Sequence, residues 1–205
     1  MHAVIVSNGF PPTKELLEAE IKRADLLIGA DGGGNTILRH GITPDVVIGD
    51  MDSFQKPEII NFEMIRDLDQ ETNDLEKALS LANQKGSETC TVLGAFGRRM
   101  DHSLKNISVL KKFNPAFQKL LFVDEMLTAF LVENKYTGEL PAGSIVSLFP
   151  LSGNVKGITT KGLKYPLSNE SLENGRRDGT SNETVESEFS IEIESGDLVV
   201  FVERE

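Results

Sequence analysis

Short aliphatic runs, each stopped by glycine, aspartate or proline, divide the first two thirds of the chain. His2–Ser7, Leu26–Ala30, Val46–Ile48 and Glu88–Leu93 are too short for helices and do not alternate, so they predict buried strands. Gln118–Asp124 and Leu127–Glu133 predict two more. Between them apolar residues recur at helical spacing. Thr13 caps a helix predicted through about Arg23, with Leu16, Leu17, Ala19 and Ile21 as its apolar positions. Short helices are expected over Asn35–Arg39 and Pro57–Ile65. Thr72 or Asn73 opens a longer one carrying the stripe Leu75, Ala78, Leu79 and Ala82, stopped at Gly86. A last helix is predicted over Asp101–Phe113, with Leu104, Ile107 and Leu110 inward. Strands alternating with helices predict an α/β domain with a mostly parallel sheet.

From about residue 134 the texture changes. Tyr136, Ile145–Phe149, Val155, Glu188–Ile193 and Leu198–Val202 are short β-type runs separated by Gly-Glu, Pro-Ala-Gly, Ser-Gly-Asn and Ser-Gly-Asp turns. Such spacing without a helical period predicts a small β-sandwich. Residues 161–184 are polar and turn-rich, and they read as a long loop.

The chemistry gathers where strands end. In a parallel sheet, ligands collect at the carboxyl ends of the strands. That rule puts Asp31 at the lip of one predicted strand and Asp50 and Asp52 at the lip of the next. An isolated Asp-Gly cluster is most often only a turn. The pair Asp50 and Asp52 directly after a buried strand points instead to a Mg²⁺–phosphate site, since like charges at short range call for a cation. Asp74 and Lys77 project from one face near the start of a helix on the same rim, where a solvated ion pair is the plain alternative. A further Gly-rich loop opens a helix and carries Arg98, Arg99, Asp101 and His102, a set suited to phosphate.

Composition narrows the field. The chain has 205 residues, 39% hydrophobic and 26% charged, as expected of a soluble globular protein. No apolar run approaches the roughly 20 residues that span a bilayer, so no membrane partner is expected. The start M-H-A-V-I-V reads as a first strand rather than a signal peptide. A net charge of −11 argues against a nucleic-acid partner, and an anionic substrate would need a metal or local positive charge. Cys90, the single cysteine, fits a cytoplasmic location and sits in an apolar run as a small hydrophobe.

Several motifs then fall in order: A-D-G-G at 30–33, P-D-x-x-x-G-D-x-D-S at 44–53, D-Q-x-x-N-D-L-x-K at 69–77 and G-R-R-M-D-H at 97–102. G-L-K-Y-P-L at 162–167 and T-S-N at 180–182 follow in the second half. This set resembles the thiamine pyrophosphokinase family across most of the chain. The resemblance implies a Rossmann-like α/β nucleotide-binding domain over residues 1–133 and a β-sandwich over 134–205 that serves thiamine binding and dimerisation. It implies a homodimer that transfers diphosphate from ATP to the hydroxyl of thiamine, giving thiamine diphosphate and AMP. By matching position, Asp50, Asp52 and Asp74 would hold Mg²⁺, with Lys77 and Arg99 beside them as catalytic groups. Asp31, Gly32, Gly33, Ser53, Gln70, Arg99, Asp101 and His102 would serve ATP. Tyr165, Thr180, Ser181 and Asn182 would serve thiamine, with Tyr165 and Ser181 reaching it across the subunit interface.

Three positions depart from the family pattern. Asn73 stands where Thr is usual, Tyr165 where many members carry Trp, and G-R-R where many bacterial members show G-G-R. Two other readings compete. One is diphosphate transfer to another small alcohol such as a hydroxymethylpterin, which the 162–183 segment would decide. The other is a non-catalytic nucleotide-binding protein, against which the full set of Asp50, Asp52, Asp74, Lys77 and Arg99 speaks.

Overall fold

The computed structural model describes residues 1–204 and divides them into two units, Met1–Glu125 and Met126 onward. In the first, the aliphatic runs form β1 (His2–Val6), β2 (Leu26–Ala30), β3 (Val46–Gly49), β5 (Thr89–Leu93) and β6 (Lys119–Val123), with β4 (Glu63–Arg66) at one edge. All pair in parallel, in the order β4-β3-β2-β1-β5-β6. The sheet grows outward from β1 in one direction through β4 and then resumes on the other side at β5. Such a reversal leaves a crevice beyond the carboxyl ends of the strands. Every residue of β2 is buried, as are Ala3 to Val6 of β1, which is why these runs do not alternate.

Helices α1 (Lys14–Ile21), α2 (Gly33–Arg39), α3 (Asp74–Gln84) and α4 (Met100–Phe113) fill the connections. Thr13 caps α1 as its sequence predicts, its Oγ1 accepting from the Leu16 N–H at 3.2 Å. Leu16 and Leu17 of α1 and Ile37 of α2 join Val4, Val6, Leu27 and Leu93 in one apolar cluster. Full burial of one such leucine contributes about 1.5–3 kcal/mol. Gly33 starts α2 directly over β1, where any Cβ would overlap the Val6 carbonyl oxygen.

A buried carboxylate joins α3 to α4. Glu76 completes a capping box, accepting from the Asn73 N–H at 3.0 Å while Asn73 Oδ1 accepts from the Glu76 N–H at 2.9 Å. Lys105 and Lys112 of α4 each reach the same Glu76 carboxylate at 2.9 Å. Burial works to raise the Glu76 carboxyl, but the bonds from Lys112, the Asn73 N–H and Lys105 outweigh it and hold it below its usual value. The first turn of α3 is therefore tied to the middle and the far end of α4.

Two expectations fail in this unit. Residues 57–65 form no helix: 57–62 are irregular and Glu63–Arg66 pairs with β3, so the sheet gains an edge strand that an apolar count over this polar stretch does not reveal. On α4, Leu104 is 60% exposed rather than inward, and Asn106, Val109 and Leu110 face the interior. The helix is turned by the polar Asn106, whose Nδ2 donates to the Ala95 carbonyl at 2.6 Å.

The second unit is built from antiparallel strands: β7 (Leu127–Val132), β8 (Lys135–Glu139), β9 (Ile145–Lys161), β10 (Glu170–Glu173), β11 (Gly179–Glu183), β12 (Glu188–Glu192) and β13 (Ser195–Glu203). Their order is β7-β13-β9-β12-β8, with β10 and β11 also on β9. The unit begins at 126 rather than 134, because β7 pairs along its length with β13. The Ser-Gly-Asn stretch is no turn; β9 runs through it as one strand, with Gly153 and Gly157 at positive φ. Residues 161–184 are likewise not one loop, since they carry β10 and β11. Phe130 of β7, Tyr136 of β8 and Phe189 of β12 stack with ring centroids 4.4 and 5.8 Å apart.

Because the Glu76 carboxyl is held down in the folded chain, its contribution is full above the unfolded value and is lost as pH falls through the folded one. Glu76→Gln should lower unfolding stability at pH 7 by about 2 kcal/mol, and the difference from wild type should shrink once acid protonates the native Glu76. Urea unfolding at pH 7 and pH 3 measures both.

Candidate active site

The site is made at the carboxyl ends of β1, β2, β3 and β5. Asp31 follows β2 directly in a left-handed conformation (φ 43°) and is held from two sides. Its N–H donates to the Ile48 carbonyl at 2.8 Å, and its Oδ2 accepts from the Ser53 N–H at 3.1 Å. Asp50 follows β3, and Asp74 is the first residue of α3. One carboxylate oxygen from each of Asp31, Asp50 and Asp74 lies within 4.8 Å of the others. Gly49 makes this possible, since a Cβ there would stand 2.7 Å from the Asp31 Cβ and 2.9 Å from Asp74 Oδ1.

Three carboxylates so close are electrostatically costly. Burial, then the neighbouring Asp74, pushes the Asp31 carboxyl above its usual range. Burial also raises Asp74, with Asp50 adding to the effect and Lys77 opposing it. Asp31 is 2% exposed, and among the described residues its Oδ1 has no hydrogen-bond partner. A buried carboxylate oxygen without a donor is expensive unless a cation meets it. Oxygen-only donors in this number suit a hard divalent ion such as Mg²⁺.

Lys77, one turn further along α3, is buried. Its Nζ donates to the Asp67 carbonyl at 3.0 Å and stands 3.5 Å from Asp74 Oδ1. The Asn73 amide has a second use besides capping, since its Nδ2 donates to Asn106 Oδ1 at 3.2 Å. A threonine hydroxyl has no second arm of this kind. Arg98, at positive φ, donates to Asn8 Oδ1 at 2.8 Å and so links the loop after β5 to the loop after β1.

Together these groups enclose a cavity of about 490 Å³. Asp31, Asp50, Asp52, Ser53, Gln70, Asp74, Lys77, Arg99 and His102, all singled out from sequence, are on its wall. Asp52 lines the cavity but stands outside the close carboxylate group, with its Oδ1 accepting from Ser53 Oγ at 2.8 Å. Asp31 takes the place expected of it. Gly32, Gly33 and Asp101 are not on the wall. A Cβ on Gly32 or Gly33 would strike the Asn8 side chain or the Val6 carbonyl, so those glycines serve packing. Asp101 pairs with Arg99 on an exposed surface, and that bond holds its carboxyl down at about 2.

In the second unit Tyr165 is 62% exposed, and Thr180 and Ser181 are exposed as well. The Thr180 N–H and Oγ1 both donate to Asp178 Oδ1, at 3.0 and 2.7 Å. Asn182 differs: it is buried, and its amide is spent on the chain itself.

The family model for the catalytic domain of thiamin pyrophosphokinase matches residues 17–122, and that for its vitamin B1 binding domain matches residues 134–200. The chain belongs to the thiamin pyrophosphokinase family. Thiamine pyrophosphokinase 1 of Oryza sativa subsp. japonica is 31% identical over 86% of this chain and 78% of its own length. Thiamine pyrophosphokinase of Bacillus subtilis (strain 168) is 29% identical over 85% of this chain and 86% of its own. A crystal structure of the thiamine pyrophosphokinase from Bacillus subtilis superimposes with a TM-score of 0.88 over 100% of both chains at 26% identity.

Sequence reasoning about this thiamin pyrophosphokinase family member missed Asn8, Thr72 and Asn106, which also line the cavity. Asn8 was open to the rule that found Asp31, since it follows a strand's carboxyl end. Asn106 was detectable only as a polar residue on a helix face whose orientation Leu104 disguised.

Crowded charge makes the site unstable on its own. A carboxyl whose folded value is raised destabilises the fold once ionised, so removing its charge should help. Without metal at pH 7, Asp31→Asn should add about 1 kcal/mol, or roughly 2–4 °C in melting temperature. Calorimetry in EDTA measures the gain, and saturating Mg²⁺ should reverse the ranking.

Proposed function

We propose that this chain transfers the terminal diphosphate of ATP to the hydroxyl of thiamine, forming thiamine diphosphate and releasing AMP. The observation that carries the reading is the group Asp31, Asp50 and Asp74, with one buried oxygen lacking a donor among the described residues, beside the buried ammonium of Lys77. All four lie in the part of the chain that the catalytic family model matches. We read the first unit as Rossmann-like and the second as a β-sandwich, and the reading includes a cytoplasmic homodimer, as the family resemblance implies.

Asp31, Asp50 and Asp74 would hold Mg²⁺. Bound there, the ion would neutralise phosphate charge in a chain whose net charge of −11 otherwise repels ATP. Lys77 then offers a fixed donor to the polyphosphate, already oriented by the Asp67 carbonyl and Asp74. Arg98 and Arg99, on the loop after β5, also line the cavity and would offer guanidinium donors to phosphate oxygens. In-line attack by the thiamine oxygen forms the new O–P bond at the β-phosphorus as the bond to the α-phosphate oxygen breaks. The hydroxyl proton passes to solvent, and AMP departs with the bridging oxygen. An acidic environment suits the acceptor, because the thiazolium of thiamine is cationic.

Purified protein with ATP, Mg²⁺ and thiamine should release AMP and thiamine diphosphate, and EDTA should stop it. Asp74→Ala should cut turnover by more than the roughly 10- to 100-fold that loss of a metal's outer partner costs. AMP release with a hydroxymethylpterin and none with thiamine would overturn the choice of acceptor.

A further inference from the structure

The T-S-N segment of β11 carries an irregularity that reassigns one of its residues. Gly179 pairs with Leu148 and Asn182 with Val146, so β11 spends one residue more than β9 over the same stretch. Such a bulge re-aims the side chains that follow it. Ser181 takes up the distortion, at φ 57° with its N–H donating to Ser147 Oγ at 3.0 Å. As a result Thr180 and Ser181 both face outward, and Asn182 faces inward at 4% exposure.

The buried amide meets the segment that carries Tyr165. Residues 162–165 run beside 182–185 in a short ladder: Val185 N–H to the Gly162 carbonyl at 2.9 Å, then Lys164 N–H to the Glu183 carbonyl at 2.8 Å. At Tyr165 the backbone of β11 is distorted and the Asn182 side chain takes over. Its Oδ1 accepts from the Tyr165 N–H at 3.0 Å and its Nδ2 donates to the Tyr165 carbonyl at 2.9 Å. Oδ1 also accepts from the Glu183 N–H at 2.9 Å. Both ends of the amide are thus committed to main chain, and Tyr165 is held at its N–H and its carbonyl together. The phenol ring projects from this fixed point, with Lys164 Nζ 5.7 Å from its centroid and paired to Glu183 at 2.9 Å.

We infer that Asn182 is a positioning residue, whose buried amide fixes the Tyr165 main chain and so aims the exposed ring at a flat heterocyclic ligand that Asn182 itself does not touch. The inference rests on the reading that thiamine is the acceptor and refines it. Residue type alone would group Asn182 with Thr180 and Ser181 as ligand contacts, whereas the bulge separates them.

A kinetic cycle tests it. Asn182→Ala and Tyr165→Ala should each raise the KM for thiamine about tenfold, with the KM for ATP within about twofold of wild type. The double variant should be no worse than Tyr165→Ala alone, because Asn182 acts through the ring. Effects that multiply would overturn the inference, as would an Asn182→Ala enzyme with an unchanged KM for thiamine. A second measurement needs no substrate. The chain has two tyrosines and no tryptophan, so Tyr136→Phe leaves Tyr165 as its single tyrosine. In that background the near-ultraviolet tyrosine dichroism should collapse on Asn182→Asp, which keeps the shape and the acceptor but loses the donor, while far-ultraviolet dichroism persists. A band that survives overturns the inference. Wild-type protein that fails to use thiamine would sink the assigned acceptor instead, and the dichroism would still decide the role of Asn182.

Discussion

Repulsion among the carboxylates of Asp31, Asp50 and Asp74 is the constraint that the first unit is built to bear. Their like charges oppose the approach; the sheet imposes it. Asp31 and Asp50 are carried on adjacent parallel strands whose hydrogen bonds fix their spacing, and Gly49 leaves the gap into which Asp74 reaches. Asp74 in turn is held by the first turn of α3, where the free N–H groups of a helix end favour negative charge. The Glu76 link to α4 keeps that helix end from retreating. Packing and backbone pairing thus sustain an arrangement that electrostatics alone would disperse, which is the usual bargain at a functional site.

Much of this was legible in the sequence because the central strands are short, unalternating and stopped by Asp-Gly turns. Burial on both faces and a ligand rim at the carboxyl ends follow from those two features; they put Asp31, Asp50 and Asp52 on the rim without coordinates, while Asp74 is placed by the start of a helix. What escaped was whatever depends on side-chain direction. Asp31 directly follows β2 and Asp52 lies three residues past β3, yet only the fold decides which turns its oxygens toward Asp74. Leu104 loses its expected inward place, and Asn106, which no apolar stripe marks, is drawn inside by hydrogen bonds to Ala95 and Asn73. The edge strand β4 was invisible for another reason: its residues are only half buried, so periodicity carries little signal.

The second unit illustrates the limit of turn residues as boundary markers. Ser-Gly-Asn and the glycines near it resemble hairpin punctuation, but in β9 they are bends within a continuous strand. A glycine at positive φ relieves a twisted strand as readily as it ends one. The same ambiguity hid β10 and β11 inside what reads as a polar loop, because strands so short and so rich in Ser, Asn, Glu and Gly have no apolar face to betray them.

The extra residue in β11 sets an unusual rule for how this stretch can change over generations. Most surface segments tolerate gain or loss of a residue better than buried strands do. Here, deleting one residue between Gly179 and Asn182 would remove the bulge, leaving Asn182 opposite Val146 but one outward side chain where there are now two. Point changes at Thr180 or Ser181 disturb one side chain each, whereas loss of a residue removes the adjacent pair of outward side chains that the bulge creates. Chain length at this position should drift far less freely than residue identity.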